Sequence, residues 1–120
     1  MNYRKAAKDE YKKSSPRRGV YIIHNLKNNK LFVGSAFNVD ARLNRSRFEL
    51  TQGVHKNAEL QHDFTAIGEK NFSFEVADVL EEKNEQKVDL SKELQQLELM
   101  WLEKVQPFGE RGYNGRTAPV

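Results

Sequence analysis

The stretch GVYIIHNLKNNKLFVG, residues 19–34, decides how the chain folds. Residues 19–23 and 31–33 are apolar and rich in β-branched and aromatic side chains, a composition typical of strands that are buried on both faces. Between them, Asn28 and Asn29 tolerate the positive φ angles that a tight hairpin turn requires. The stretch therefore predicts a β-hairpin over residues 19–34.

Apolar spacing predicts four more elements beyond the hairpin. They are a helix between Asn38 and Gly53, a helix from about Asn57 to Gly68, a strand over residues 72–76 and a long helix over residues 90–105. Asn38 is a good N-cap, and glycine is a common C-terminal stop. Residues 81–87 are polar and predict a loop. The order β-β-α-α-β-α, without βαβ alternation, predicts a small α+β domain.

Composition limits the class of protein. A chain of 120 residues fits one domain, and 38% hydrophobic with 31% charged residues is typical of a globular one. No apolar run approaches the roughly 18 residues of a membrane span, and residues 1–13 lack the apolar core of a secretory signal. The absence of cysteine excludes disulfides, cysteine-based zinc sites and thiol nucleophiles. We therefore expect a cytoplasmic protein without membrane contact.

Positive charge is concentrated at the start of the chain. Residues 1–18 carry seven lysines and arginines against two acidic residues, whereas the formal charge of the whole chain is only +3. Such an arm suits a polyanionic partner, because each cation placed on a phosphate releases a condensed counterion. The alternative is a solvated tail that only aids solubility. We predict a basic, partly disordered arm over residues 1–18, a folded domain over 19–114 and a tail over 115–120.

Glu98 is the most informative single residue. In the predicted last helix it falls inside the apolar stripe, between Leu94 and Trp101. A carboxylate that faces a core is costly unless it is paired or bound to a cation, and no charged residue lies one turn away on its own helix. The alternatives are a glutamate at the edge of the stripe that reaches solvent, or one half of a structural ion pair.

Three further side chains could carry chemistry. Arg42 lies at the border of the apolar face of its helix, where it could present its guanidinium to a phosphate or simply extend along the surface. Tyr21 faces the opposite side of its strand from Val20 and Ile22, and a buried tyrosine usually needs only a hydrogen-bond partner. His55 lies in a predicted loop, where it could reach a substrate or remain solvated. No phosphate-binding glycine loop, zinc spacing or calcium loop is present.

Five sequence elements, in order, resemble the motifs of the GIY-YIG endonucleases. Gly19-Val20-Tyr21 and, after a gap of ten residues, Phe32-Val33-Gly34 resemble the paired motif that names the family. The other four matching positions are Arg42 eight residues after Gly34, His55, Glu98 three residues before Trp101, and Asn114 in Gly112-Tyr113-Asn114. The resemblance covers residues 19–114, nearly all of the predicted domain.

The resemblance implies both fold and activity. Family members have a small three-stranded antiparallel sheet flanked by helices, and they cut DNA phosphodiesters with one divalent cation, Mg²⁺ or Mn²⁺. By resemblance, Tyr21 helps to activate the attacking water, Arg42 binds the scissile phosphate, and Glu98 holds the cation. His55 would assist proton transfer or position the nucleophile, and Asn114 would support the site. We therefore expect Tyr21, Arg42 and Glu98 to share one hollow.

DNA contacts are expected from cations near the site and from the arm. These residues are Arg45, Lys12, Lys13, Arg17 and Arg18. A monomer is compatible with this function, although the sequence does not fix the oligomeric state.

One motif position departs from the family pattern, because Phe32 replaces the second motif's tyrosine and lacks its hydroxyl. The sequence therefore predicts a metal-dependent DNA endonuclease, with a catalytically weak or inactive DNA-binding module as the alternative. A protein-interaction domain that ignores nucleic acid is the third reading.

Overall fold

The computed structural model describes residues 16–81 and 89–115. The strands in these ranges are β1 (Gly19–Asn25), β2 (Leu31–Ala36) and β3 (Phe72–Val79), and the helices are α1 (Val39–Gln52), α2 (Ala58–Ile67) and α3 (Leu90–Val105). Two short 3₁₀ turns, Glu69–Asn71 and Gly109–Arg111, complete the set. The predicted order β-β-α-α-β-α is confirmed. In the same ranges, no helix is both long and apolar enough to cross a membrane.

The three strands form one antiparallel sheet in the order β2-β1-β3. The predicted hairpin joins β1 to β2, and Asn29 in its turn has a φ of 64°. Asn25 also shapes the turn, because its side-chain oxygen accepts a hydrogen bond of 2.9 Å from the backbone N–H of Lys27. In the resulting register, Tyr21 lies directly opposite Gly34, and β2 is left as an edge strand.

The two faces of the sheet carry different cores, because side chains alternate along each strand. Tyr21 and Ile23 face a core formed with α1 and α2. Val20, Ile22 and Val33 face a second core that includes residues of α3. The helices therefore pack on opposite faces, with α1 and α2 on the Tyr21 face and α3 on the other.

Local side-chain chemistry fixes where the helices begin and end. Asn38 and Asn57 are the N-caps of α1 and α2, and their side chains accept backbone N–H bonds of 3.2 Å and 3.0 Å. Gly53 ends α1 in the left-handed region at φ 78°, a conformation that favours glycine. These predicted ends are confirmed. Asp89, which caps α3 by accepting from Ser91 and Lys92, was not predicted.

The third strand is longer than predicted. It runs to Val79 rather than residue 76, because Asp78 and Val79 continue to pair with Val20 and Gly19 of the central strand. The predicted loop over residues 81–87 lies, after Glu81, outside the described residues, as do residues 1–15 of the basic arm and residues 116–120 of the tail. The carbonyl of Arg17 accepts a hydrogen bond from Val39, so the chain is joined to the folded body from this residue onward.

Candidate active site

A cavity of about 340 Å³ opens between the β1–β2 face and the first helix. It is lined by Tyr21, Phe32, Arg42, Arg45, Glu49, His55, Lys56 and Asn57. The cavity therefore brings together three of the predicted catalytic residues, namely Tyr21, Arg42 and His55. The predicted DNA contact Arg45 lies there as well.

The hydroxyl of Tyr21 lacks a hydrogen-bond partner in the described part of the chain. The residue is only 3% exposed, yet among the described residues every side-chain nitrogen or oxygen atom that is itself buried has a hydrogen-bond partner. The tyrosine oxygen is therefore not sealed in the core, and it meets the cavity that the residue lines. A buried tyrosine normally pairs its hydroxyl with the protein. Here the hydroxyl is left available to a substrate or to water.

Gly34 creates the space that this hydroxyl occupies. A Cβ atom built on Gly34 would lie 2.4 Å from Cζ of Tyr21 and 2.5 Å from its hydroxyl oxygen. The far end of the tyrosine ring thus lies directly over the edge strand, where any side chain would collide with it. A glycine at this position is a steric requirement of the tyrosine's placement.

The cavity has an excess of positive charge. Arg42 is exposed, and no carboxylate within residues 16–81 and 89–115 forms an ion pair with it. Arg45, in contrast, pairs with Glu49 at 3.3 Å. With Lys56, the lining carries three cations and one carboxylate. Such a site favours an anion, and a guanidinium is well suited to bind phosphate oxygens in pairs.

His55 is held as a neutral imidazole. The backbone N–H of Asn57 donates to Nδ1 of His55 at 3.0 Å, so the ring carries its proton on Nε2. Burial lowers the pKa of His55, Glu49 opposes this effect, and Arg42 adds to it. His55 therefore presents an N–H donor rather than a positive charge.

The lowered pKa of His55 predicts a pH dependence of stability. Below about pH 6.5, the ordinary pKa of histidine, His55 binds a proton in the unfolded chain, whereas burial disfavours the protonated form in the folded chain. The free energy of unfolding should therefore decrease as pH falls from 6.5 toward the lower pKa of the folded state. We expect His55→Asn, which keeps an acceptor for Asn57, to lose less stability than the wild type between pH 8 and pH 5.5 in urea titrations. His62→Asn, on the exposed side of α2, is the control. If His55→Asn loses as much stability as the wild type over this pH range, the prediction is wrong.

Phe32 lies between the two other rings of the site. Its ring centroid is 6.2 Å from that of Tyr21 and 5.9 Å from that of His55, which it meets edge to face. The phenylalanine thus keeps the aromatic packing of the cavity wall while lacking a hydroxyl.

Glu98 approaches the same strand from the other face. It is half-buried on α3, and its Oε1 accepts a hydrogen bond of 2.5 Å from the hydroxyl of Ser35. Ser35 follows Gly34, so by strand alternation it faces α3 rather than the cavity. The predicted common hollow is therefore confirmed for Tyr21 and Arg42, whereas Glu98 is not among the residues that line it. The carboxylate and the tyrosine hydroxyl reach consecutive residues of the edge strand from opposite sides.

The surroundings of Glu98 fit a weakly held, hard cation. Within the described ranges, no three histidine or acidic side chains gather into a metal-binding group, and no cation pairs with Glu98. Mg²⁺ commonly uses one or two carboxylates and keeps several waters, so it does not need a larger group. Glu98 is partly exposed and holds Ser35 through one oxygen, which leaves the other available.

Asn114 supports the edge strand from outside the cavity. The N–H of Val33 donates to Oδ1 of Asn114 at 2.9 Å, and Nδ2 of Asn114 donates back to the Val33 carbonyl at 2.8 Å. The amide thereby takes the place of a neighbouring strand on the open side of β2. Because Val33 lies between Phe32 and Gly34, Asn114 fixes the strand on which both motif positions sit.

Four residues of this region were not predicted as site residues: Glu49 and Lys56 on the cavity wall, Asn57 beside His55, and Ser35 beside Glu98. None belongs to a motif that indicates chemistry, and only the tertiary fold brings Ser35 to Glu98.

Of the predicted DNA contacts in the arm, the two described arginines, Arg17 and Arg18, do not line the cavity. Arg17 forms a two-point ion pair with Asp40, with donor–acceptor distances of 2.9 Å and 2.5 Å. The guanidinium of Arg18 lies 6.0 Å from the ring centre of Phe37. Lys12 and Lys13 are outside the described residues.

Comparison with known proteins identifies relatives of this fold. Residues 17–114 match the family model described as the GIY-YIG catalytic domain. A mutant form of the catalytic domain of the intron endonuclease I-TevI is similar in structure, with a TM-score of 0.65 and 26% identity over 82% of this chain and 92% of that one. A second structure, of the catalytic domain of the homing endonuclease I-TevI, has a TM-score of 0.62 and 27% identity over 80% and 95%. No curated protein matches the chain.

The family match covers most of the chain, and it spans every residue of the cavity as well as Glu98 and Asn114. Family and structural similarity together support an endonuclease, that is, a phosphodiester hydrolase. Enzymes of this family generally depend on a divalent metal. The chain belongs to the GIY-YIG family.

Proposed function

We propose that this chain is a metal-dependent DNA endonuclease that hydrolyses phosphodiester bonds at the cavity between β1, β2 and α1. The observation that carries the proposal is that one cationic cavity is lined by two groups without a partner among the described residues. The Tyr21 hydroxyl lacks a partner, and Arg42 lacks a counter-ion, among the described residues. The similarity to endonuclease catalytic domains supports DNA as the substrate.

Each cavity residue has a role that its geometry permits. Arg42 binds the scissile phosphate and stabilises the charge that develops on it. The Tyr21 hydroxyl orients the attacking water, since it lies over Gly34 of the edge strand and has no partner among the described residues. His55 donates from Nε2 and positions the nucleophile or the phosphate. It is not suited to accept a proton there while Nδ1 holds the N–H of Asn57.

Glu98 holds one divalent cation, Mg²⁺ or Mn²⁺, in this proposal. When bound, the cation neutralises charge on the leaving oxygen. Glu98 and Tyr21 approach neighbouring residues of β2 from its two faces. We therefore expect the scissile DNA strand to cross β2 near Gly34 and Ser35, beyond the part of its edge that Asn114 covers.

Additional cations extend the DNA contact beyond the scissile phosphate. Arg45 and Lys56 line the cavity, and the Arg45–Glu49 pair is exposed enough to be weak. A phosphate could therefore replace Glu49 as the partner of Arg45. Nonspecific affinity for DNA would also come from the arm, through Lys12, Lys13, Arg17 and Arg18.

We expect the protein to act in the cytoplasm, without membrane contact.

A catalytically weak or inactive DNA-binding module is the second candidate. Phe32 favours this second candidate, because its ring lines the cavity but lacks the hydroxyl of the tyrosine in the family motif. A positioned proton-transfer group is worth about 10²–10⁴-fold in rate, so the loss of one could leave slow cutting or none.

Nicking of supercoiled plasmid DNA separates the two candidates. We expect Mg²⁺-dependent nicking by the wild type, and a decrease of about 10²–10³-fold in Arg42→Ala and in Glu98→Ala, because each removes a charge that stabilises the transition state. Arg111→Ala, an exposed arginine outside the cavity, should cut like the wild type. If the wild type binds DNA but does not nick it with Mg²⁺ or Mn²⁺, the binding module is the correct reading.

A further inference from the structure

We propose that Ser35 is a positioning residue that orients the carboxylate of Glu98 for its cation. The inference rests on the proposed function and adds to it a residue that no motif of the chain includes. Its basis is the 2.5 Å hydrogen bond from the Ser35 hydroxyl to Oε1 of Glu98, which joins α3 to the edge strand.

This bond fixes one oxygen of the carboxylate and leaves the other free. A serine hydroxyl has a single proton, and here the proton is donated to Oε1. A bond of this length to a charged acceptor is among the stronger hydrogen bonds in proteins. No other described side chain donates to Glu98 or forms an ion pair with it. The orientation of the carboxylate therefore depends on Ser35.

The position of Ser35 is itself well fixed. Its backbone pairs with Val20 of the central strand, and two residues earlier the amide of Asn114 holds both polar backbone groups of Val33. Glu98 has only apolar or uncharged neighbours one turn away on α3, namely Leu94, Gln95, Trp101 and Leu102. The sheet edge, rather than the helix, thus supplies the polar anchor.

A purely structural role for the bond would have a different consequence. If Ser35 only satisfied a half-buried carboxylate, its loss would change stability and leave cation affinity unaltered. If it orients Glu98, its loss should weaken cation binding, because partners of metal ligands typically contribute about 10–100-fold to metal affinity. The two roles are therefore separated by a binding measurement.

The test measures Mn²⁺ binding to the full chain by electron paramagnetic resonance, together with the Mg²⁺ concentration that gives half-maximal nicking. We expect Ser35→Ala to raise the Mn²⁺ dissociation constant and the half-maximal Mg²⁺ concentration by about 10-fold or more. Saturating Mg²⁺ should restore much of the nicking rate. Ser35→Thr keeps the hydroxyl and should bind like the wild type, and Ser91→Ala, on the exposed start of α3, is the matched control.

Either of two results would overturn the inference while leaving the proposed function intact. Ser35→Ala could bind Mn²⁺ as tightly as the wild type, or Ser35→Thr could be as defective as Ser35→Ala although both are folded by circular dichroism. A wild type that binds no more Mn²⁺ than Glu98→Gln would instead refute the cation site, and this inference with it.

Discussion

Tyr21→Phe is expected to reduce DNA cleavage by about 10²–10⁴-fold, the usual contribution of a positioned proton-transfer group. The free energy of unfolding should change by less than about 1 kcal/mol, since the substitution breaks no hydrogen bond to a described residue. The ring remains and only the hydroxyl that meets the cavity is lost. Single-turnover nicking rates and urea unfolding of the same preparation would measure both quantities.

Tyr113→Phe is the matched control, because Tyr113 is also 3% exposed. Its hydroxyl donates to Asp63 at 2.7 Å and accepts from Asn25 at 3.0 Å. Burial, followed by the bond to Asp63, raises the pKa of Tyr113, so the hydroxyl stays protonated as a donor. Its removal leaves two polar groups unsatisfied and should cost about 1–3 kcal/mol of stability.

The two tyrosines should therefore show opposite patterns. Tyr21→Phe should lose activity and keep stability, whereas Tyr113→Phe should lose stability and keep most of its activity at a temperature where it is folded. Equal activity of Tyr21→Phe and the wild type would exclude a role for the Tyr21 hydroxyl. The proposed mechanism would then leave only His55 to position the attacking water.

The sequence predicts those parts of the fold that local chemistry controls. The hairpin follows from two apolar runs around Asn28 and Asn29, and the first two helices from asparagine caps and glycine stops. The end of β3 depends on pairing with β1, and no local pattern in the sequence indicates that pairing. The predicted end at residue 76 is therefore three residues too early.

The same distinction applies to the candidate site. The motif resemblance predicts Tyr21, Arg42 and His55 as residues of one site, and all three line one cavity. The helical pattern placed Glu98 on the apolar face of α3 but could not say which face of the sheet that helix covers. Its partner Ser35 lies 63 positions away in the chain, so only the packing of α3 on β2 identifies it. Residues with distinctive chemistry or a motif match could thus be predicted from the sequence, whereas Ser35, the hydrogen-bond partner of Glu98, could not.

Gly34→Ala is expected to impair both the site and the fold. The new methyl group would lie within 2.7 Å of three atoms at the end of the Tyr21 ring, well inside van der Waals contact. The ring is buried in the core with Ile23 and Leu43, so it cannot move aside freely. Overpacking of this kind costs about 1–3 kcal/mol, and a displacement of the hydroxyl by roughly 1 Å should reduce cleavage by about 10²-fold.

A double-mutant cycle identifies the tyrosine ring as the cause. In a Tyr21→Ala background the ring is absent, so Gly34→Ala should cost little further stability, and the coupling energy should be at least about 1 kcal/mol. Urea unfolding of the four proteins measures this coupling, and nicking by Gly34→Ala measures the effect on the site. If Gly34→Ala cuts at the wild-type rate, the hydroxyl does not need its position over the edge strand. Cleavage would then have to be organised elsewhere than at the junction of Tyr21, Gly34 and β2.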